Sequence, residues 1–86
     1  MPRLSMFYGV AVYMYYQDHA PPHFHAIYGE HEATFAIESG LLLEGVLPRT
    51  ARKLVQEWIE IHRDELRTDW NLARQGMALN PIDPLE

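Results

Sequence analysis

Four of the five histidines, His19, His23, His25 and His31, fall in the first half of the chain, and the densest stretch is Asp18-His19-Ala20-Pro21-Pro22-His23-Phe24-His25. A His-x-His pair on a strand points both imidazoles to one side, because successive strand side chains alternate between faces. Two chemistries use such a pair. Neutral imidazoles joined by a carboxylate bind zinc or another divalent metal, and His23, His25 and Glu38 are the expected ligand set, with Glu44 as a second carboxylate on that face. Alternatively, two imidazoles that titrate near neutrality act as general acid and base on a phosphodiester without any metal or cofactor. In that case His23 and His25 move protons, with His19 or a tyrosine such as Tyr15 assisting and Asp18 in support. The plain alternative is that surface histidines beside a turn solvate a sheet face. Pro21 and Pro22 stiffen the lead-in, which suits a placed site.

Other groups carry weaker signals. Arg49, Arg52 and Lys53 cluster at the start of a helical stretch, where backbone donors and the helix dipole attract an anion such as phosphate. A solvated face accounts for them equally well. Tyr8, Tyr13, Tyr15, Tyr16 and Tyr28 could stack bases or simply pack with their hydroxyls at the rim. His62, Trp58 and Trp70 lie on an apolar stripe and read as core or rim.

These residues need a scaffold, and the chain is short. Its 86 residues make one domain with a modest core. There are no cysteines, which excludes a disulfide framework, a thiol nucleophile and a Cys-ligated metal. The net charge of −5 argues against an indiscriminate nucleic-acid binder. Residues 1–46 hold one base, Arg3, against five acids; residues 47–86 are nearly balanced. No apolar run approaches the ~20 residues of a membrane span, and no leader is read at the start, so a cytoplasmic protein is expected.

The elements read in order. Residues 1–47 are rich in aromatic and β-branched residues broken by Gly and Pro, and read as sheet. One strand is expected over Tyr8–Tyr16. A hairpin follows, His23–Tyr28 and His31–Glu38, joined by Gly29-Glu30 in a type II′ turn. That turn pairs Tyr28 with His31, Ala26 with Ala33 and Phe24 with Phe35 on the core face, leaving His23 and His25 on the other. A fourth strand, Leu41–Val46, is expected with Leu41 and Leu43 inward and Glu44 outward, since burying Glu44 unpaired is costly. Glu38 and Glu44 then join the histidine face. Residues 48–76 read as helix from Pro48 to a stop at Gly76, with a break near Arg67-Thr68-Asp69. Residues 77–86 form an extended tail whose Leu79, Ile82 and Leu85 can dock on the domain or on a partner. The expected class is α+β: a four-stranded, mainly antiparallel sheet followed by one long or kinked helix packed on one face.

A wider pattern joins these pieces. It comprises Met1-Pro-Arg-Leu-Ser, Val12-Tyr13-Met14-Tyr15-Tyr16, Asp18-His19, Pro21-Pro22-His23-Phe24-His25-Ala26, Glu38-Ser-Gly, Glu44-Gly-x-Leu47-Pro48, Val55-x-Glu57-Trp58 and His62-Arg63-x-Glu65-Leu66. Over roughly residues 1–78 it resembles a small bacterial domain-of-unknown-function family whose members include DhiT-like toxins of type II toxin–antitoxin pairs. The resemblance implies a toxin-like cytoplasmic protein encoded beside a cognate small antitoxin. It marks His19, Pro21, Pro22, His23 and His25 as motif residues without supplying a mechanism. Many such toxins cleave RNA, so a ribonuclease acting on ribosomal or structured RNA is the expectation by analogy, with a metal-binding or purely interacting module as the alternative.

Overall fold

The computed structural model describes residues 2–86; Met1, first residue of the opening motif, lies outside the described residues. Five strands, β1 (Arg3–Phe7), β2 (Val10–Tyr13), β3 (His23–Tyr28), β4 (His31–Ala36) and β5 (Leu42–Gly45), precede a single helix, α1 (Arg49–Arg74). The sheet is an antiparallel meander in the order β1-β2-β3-β4-β5. The class is α+β, with five strands rather than four. The extra strand arises because Tyr8 (φ 48°) and Gly9 (φ 81°) form a two-residue turn. Positive φ at both central residues is the type I′ geometry that joins tight hairpins. A single strand over Tyr8–Tyr16 is therefore corrected to a hairpin followed by a loop.

The β3–β4 register is the expected one: Tyr28 opposite His31, Ala26 opposite Ala33, Phe24 opposite Phe35. Gly29 has φ 58° while Glu30 stays outside the positive region, as a type II′ turn requires. On the core face Phe24 and Phe35 stack at 5.8 Å, and Trp58 of α1 meets Phe24 edge-on at 5.7 Å and Phe7 at 5.3 Å. Val10, Val12, Val55, Ile59 and Leu66 complete a core sealed from water. A buried side chain of this size contributes about 1.5–3 kcal/mol, which makes the sheet–helix interface the main stabilising contact.

β5 departs from expectation. The register slips between Thr34 and Phe35, so Phe35 pairs with Leu42 and Thr34 with Glu44. The extra residue, Leu43, is a bulge. Leu42 packs against the core, whereas Leu41 and Leu43 are exposed, the reverse of the expected pattern. Glu44 does stay in solvent.

The helix bends at His62 (φ −115°, ψ 21°), not near Arg67-Thr68-Asp69. A straight helix of 26 residues would be about 39 Å long, more than the molecule's longest extent of 33 Å. The bend lets the second half continue over the sheet. Asp69 is buried inside the helix and accepts the backbone N–H of Asn80 at 2.9 Å. Gly76 (φ 70°) ends the helix as expected, with Met77 N–H donating to Leu72 O and Gly76 N–H to Ala73 O, a Schellman closure. The tail then docks on its own domain. Ile82 is buried, its N–H donates to Leu4 O, and the Trp58 indole N–H donates to Asp83 O at 2.8 Å.

Candidate metal centre

The site is a loop held against two rigid elements. Residues 14–22 connect β2 to β3 across the end of the sheet. The Gln17 N–H donates to Ala73 O near the end of α1, and Pro22 O accepts the Ile37 N–H beyond β4. The Ala20-Pro21 bond is cis. So anchored, the loop turns the Asp18 side chain onto the sheet face that carries His23 and His25. His23 Nε2 lies 3.0 Å from Asp18 Oδ2, and His25 Nε2 lies 3.5 Å from the same oxygen. One nitrogen or oxygen from each of the three side chains falls within 4.8 Å of the others.

The two imidazoles are fixed differently. His23 is 4 % exposed and packs against Trp70 of α1 at 5.3 Å. It shares the face predicted for it but not the expected exposure, because Trp70 and the loop cover it. Its Nδ1 lies 2.7 Å from Pro21 O. A carbonyl oxygen only accepts, so Nδ1 carries the proton. A neutral His23 then presents the Nε2 lone pair to a carboxylate oxygen, and only a proton or a metal cation can reconcile that contact. His25 is partly open; its ring and that of Tyr15 meet in a T-shaped arrangement at 4.2 Å, and its Nδ1 is buried without a hydrogen bond among the described residues.

Electrostatics favour an ionised Asp18. Burial pushes its carboxyl up, but the His19 backbone N–H (2.8 Å) and the rings of His25, His23 and His19 outweigh it and hold the group below its ordinary value. A pocket of about 470 Å³ opens over the cluster, lined by Tyr15, Asp18, His19, His23, His25, Thr34, Leu43 and Glu44 among others. The sheet supplies part of its lining: His25, Thr34 and Glu44 sit opposite one another in a row across β3, β4 and β5.

The candidates named from sequence separate into two groups. Asp18, His19, His23, His25, Tyr15 and Glu44 come together around this pocket. Glu38 does not. Its carboxylate pairs with Arg67 of α1 at 2.7 and 2.8 Å, and hydrogen bonding from Arg67 holds it below the ordinary carboxylate range. The carboxylate beside the two histidines is therefore Asp18. Arg49, Arg52 and Lys53 are exposed at the start of α1, and none of them lines the pocket. Sequence reasoning missed Thr34, Leu43 and Trp70. Thr34 was legible as the cross-strand partner of His25, whereas Leu43 needed the bulge and Trp70 the helix bend.

A family model described as a domain of unknown function, DUF4160, matches residues 9–71. The chain belongs to this family. The match spans β2 to most of α1 and contains every residue of the Asp18–His23–His25 cluster, while β1 and the tail lie outside it. No match to a curated protein or to a solved structure was found. Among the described residues, no helix is long and apolar enough to cross a membrane.

Proposed function

We propose that this domain binds a divalent metal ion, with Asp18, His23 and His25 as its protein ligands. The observation that carries the reading is the His23–Asp18 contact. With Nδ1 committed to Pro21 O, two acceptor atoms face each other at 3.0 Å, and a cation between them removes the conflict. A ligand imidazole that gives its other N–H to a backbone carbonyl is the usual way a protein fixes tautomer and ring orientation at a metal. Two histidines and one carboxylate suit zinc, or iron and manganese where further positions stay open. The open positions would face the pocket, beside Tyr15, Thr34 and Glu44. Titration of the metal-stripped protein with zinc, followed by calorimetry, tests this. One equivalent is expected to bind, with the site lost in Asp18→Ala and in His25→Ala. Failure of the wild-type protein to take up zinc, manganese or ferrous iron would end the proposal.

A second reading draws on the same contact. A proton on His23 Nε2 makes an imidazolium–carboxylate pair with Asp18, the starting state for metal-free acid–base chemistry on RNA by a toxin-like protein restrained by a small antitoxin. Against it, the burial of His23 keeps a polymer substrate away, and Arg49, Arg52 and Lys53 stand apart from the pocket. Expression of the chain alone tests it: growth arrest in wild type but not in a folded His23→Ala, His25→Ala variant would favour this reading, provided arrest persists when metal is withheld.

A further inference from the structure

We propose that Glu32 is the positioning residue of the metal centre, acting through His25 from the side of the ring opposite Asp18. The inference rests on the metal-binding reading and names a residue that touches none of the ligand atoms. His23 and His25 are not equivalent. The Nδ1 of His23 already has its acceptor, the Pro21 carbonyl at 2.7 Å. The Nδ1 of His25 is buried and, among the described residues, has no hydrogen-bond partner. The carboxylate that approaches it is that of Glu32, whose Oε2 lies 3.5 Å away while its side chain remains half-exposed. The two residues meet at a second, shallower cavity of about 280 Å³, lined by His25, Glu32, Thr34 and Glu44 among others. His25 thus lines both pockets, with its Nε2 towards Asp18 and its Nδ1 towards Glu32.

Metal binding sets the proton's position. A cation held by His25 Nε2 needs the lone pair there, so the single proton of the neutral ring must sit on Nδ1. Nδ1–H is then a buried donor, and a buried donor left unpaired is costly. A small rotation of Glu32 brings its carboxylate into hydrogen-bond range and removes that cost. Without a metal, His25 can instead keep its proton on Nε2 and offer it to Asp18 Oδ2 at 3.5 Å. Occupancy of one pocket is thereby written into the position of a side chain in the other. The ring itself does not need to move, since Tyr15 packs against it at 4.2 Å.

The experiment compares zinc binding by wild type, Glu32→Ala, Glu32→Gln and Asp18→Ala, with histidine tautomers read by two-bond proton–nitrogen NMR. Partners of metal-ligating histidines typically contribute about 10- to 100-fold in affinity. Glu32→Ala is expected to weaken zinc binding by roughly that factor, with the unliganded fold unchanged by circular dichroism. Glu32→Gln, whose amide oxygen still accepts, recovers most of the loss. Zinc is expected to move the His25 proton to Nδ1 and to leave His23 in the Nδ1–H form it already holds. Wild-type zinc affinity in Glu32→Ala, with loss in Asp18→Ala, would overturn the role of Glu32 and leave the metal centre standing. Absence of zinc binding by the wild type would overturn both.

Discussion

Asp18 and His23, five residues apart in the chain, meet at 3.0 Å through an oxygen and a nitrogen that in the neutral-ring state are both acceptors. The carbonyl of Pro21 creates this conflict by taking the proton of Nδ1. Replacing Asp18 by Asn turns one acceptor into an amide donor aimed at the same nitrogen. Asp18→Asn is therefore expected to stabilise the metal-free fold by about 1 kcal/mol, while lowering zinc affinity at least about 100-fold. Thermal melts with and without zinc read both effects. A clear loss of metal-free stability would mean that a protonated His23 had been holding the carboxylate.

Gly45 ties the bulge of β5 to the neighbouring strand. It has φ 82°, and a Cβ there would overlap the carbonyl oxygen of Glu32 and crowd the Ala33 backbone. Both backbone strain and close approach oppose any side chain. Gly45→Ala is expected to cost about 2–3 kcal/mol and to displace Glu44 and Leu43 from the pocket rim. Denaturant unfolding measures the first effect, and backbone chemical shifts of residues 42–46 the second.

The tail is fastened at Trp58, whose indole N–H reaches Asp83 O at 2.8 Å while its rings fill the core. Trp58→Phe removes the donor and part of the volume. The expected cost is about 2–4 kcal/mol, with faster amide exchange at Ile82 and Asp83 than in the strands. Uniform acceleration across the chain would show that the tail and the core open together.

Asp69 gives the fold a pH dependence of known sign. Burial raises its carboxyl above the ordinary value, against the lowering effect of the Asn80 N–H, and the negative charge of Glu65 adds to the rise. Its Oδ2 is buried without a partner among the described residues. A folded pKa above the unfolded one means that ionised Asp69 weakens the fold at neutral pH, and that the penalty fades as pH falls through the folded value towards the unfolded one. Asp69→Asn keeps an acceptor for Asn80 and removes the charge. Its stability relative to wild type is expected to be greater at pH 7.5 than near pH 4.5, measured by paired denaturant titrations. A pH-independent difference would contradict the assignment.

Local rules carried much of this structure. The β3–β4 register followed from Gly29-Glu30 and the two-residue period, and that period alone put His23 and His25 on one face. Gly76 fixed the helix end. The first hairpin escaped because Tyr8 holds a positive φ that bulky residues rarely adopt, so Tyr8-Gly9 did not stand out as a turn. The β5 register escaped because a bulge reassigns which residues face inward without changing composition.

By itself, then, the sequence determined the class of the fold and the shared face of the imidazole pair, because both rest on chain-local geometry. Which carboxylate joins that pair was decided only in three dimensions. Arg67, 29 residues along the chain from Glu38, reaches it from the helix and neutralises it, while Ala73 and Ile37 pin the loop that delivers Asp18. The burial of His23 was likewise decided by Trp70, brought against the start of β3 by the second half of the bent helix. Contacts between residues so far apart depend on how the helix lies on the sheet, and no periodicity in the chain encodes that.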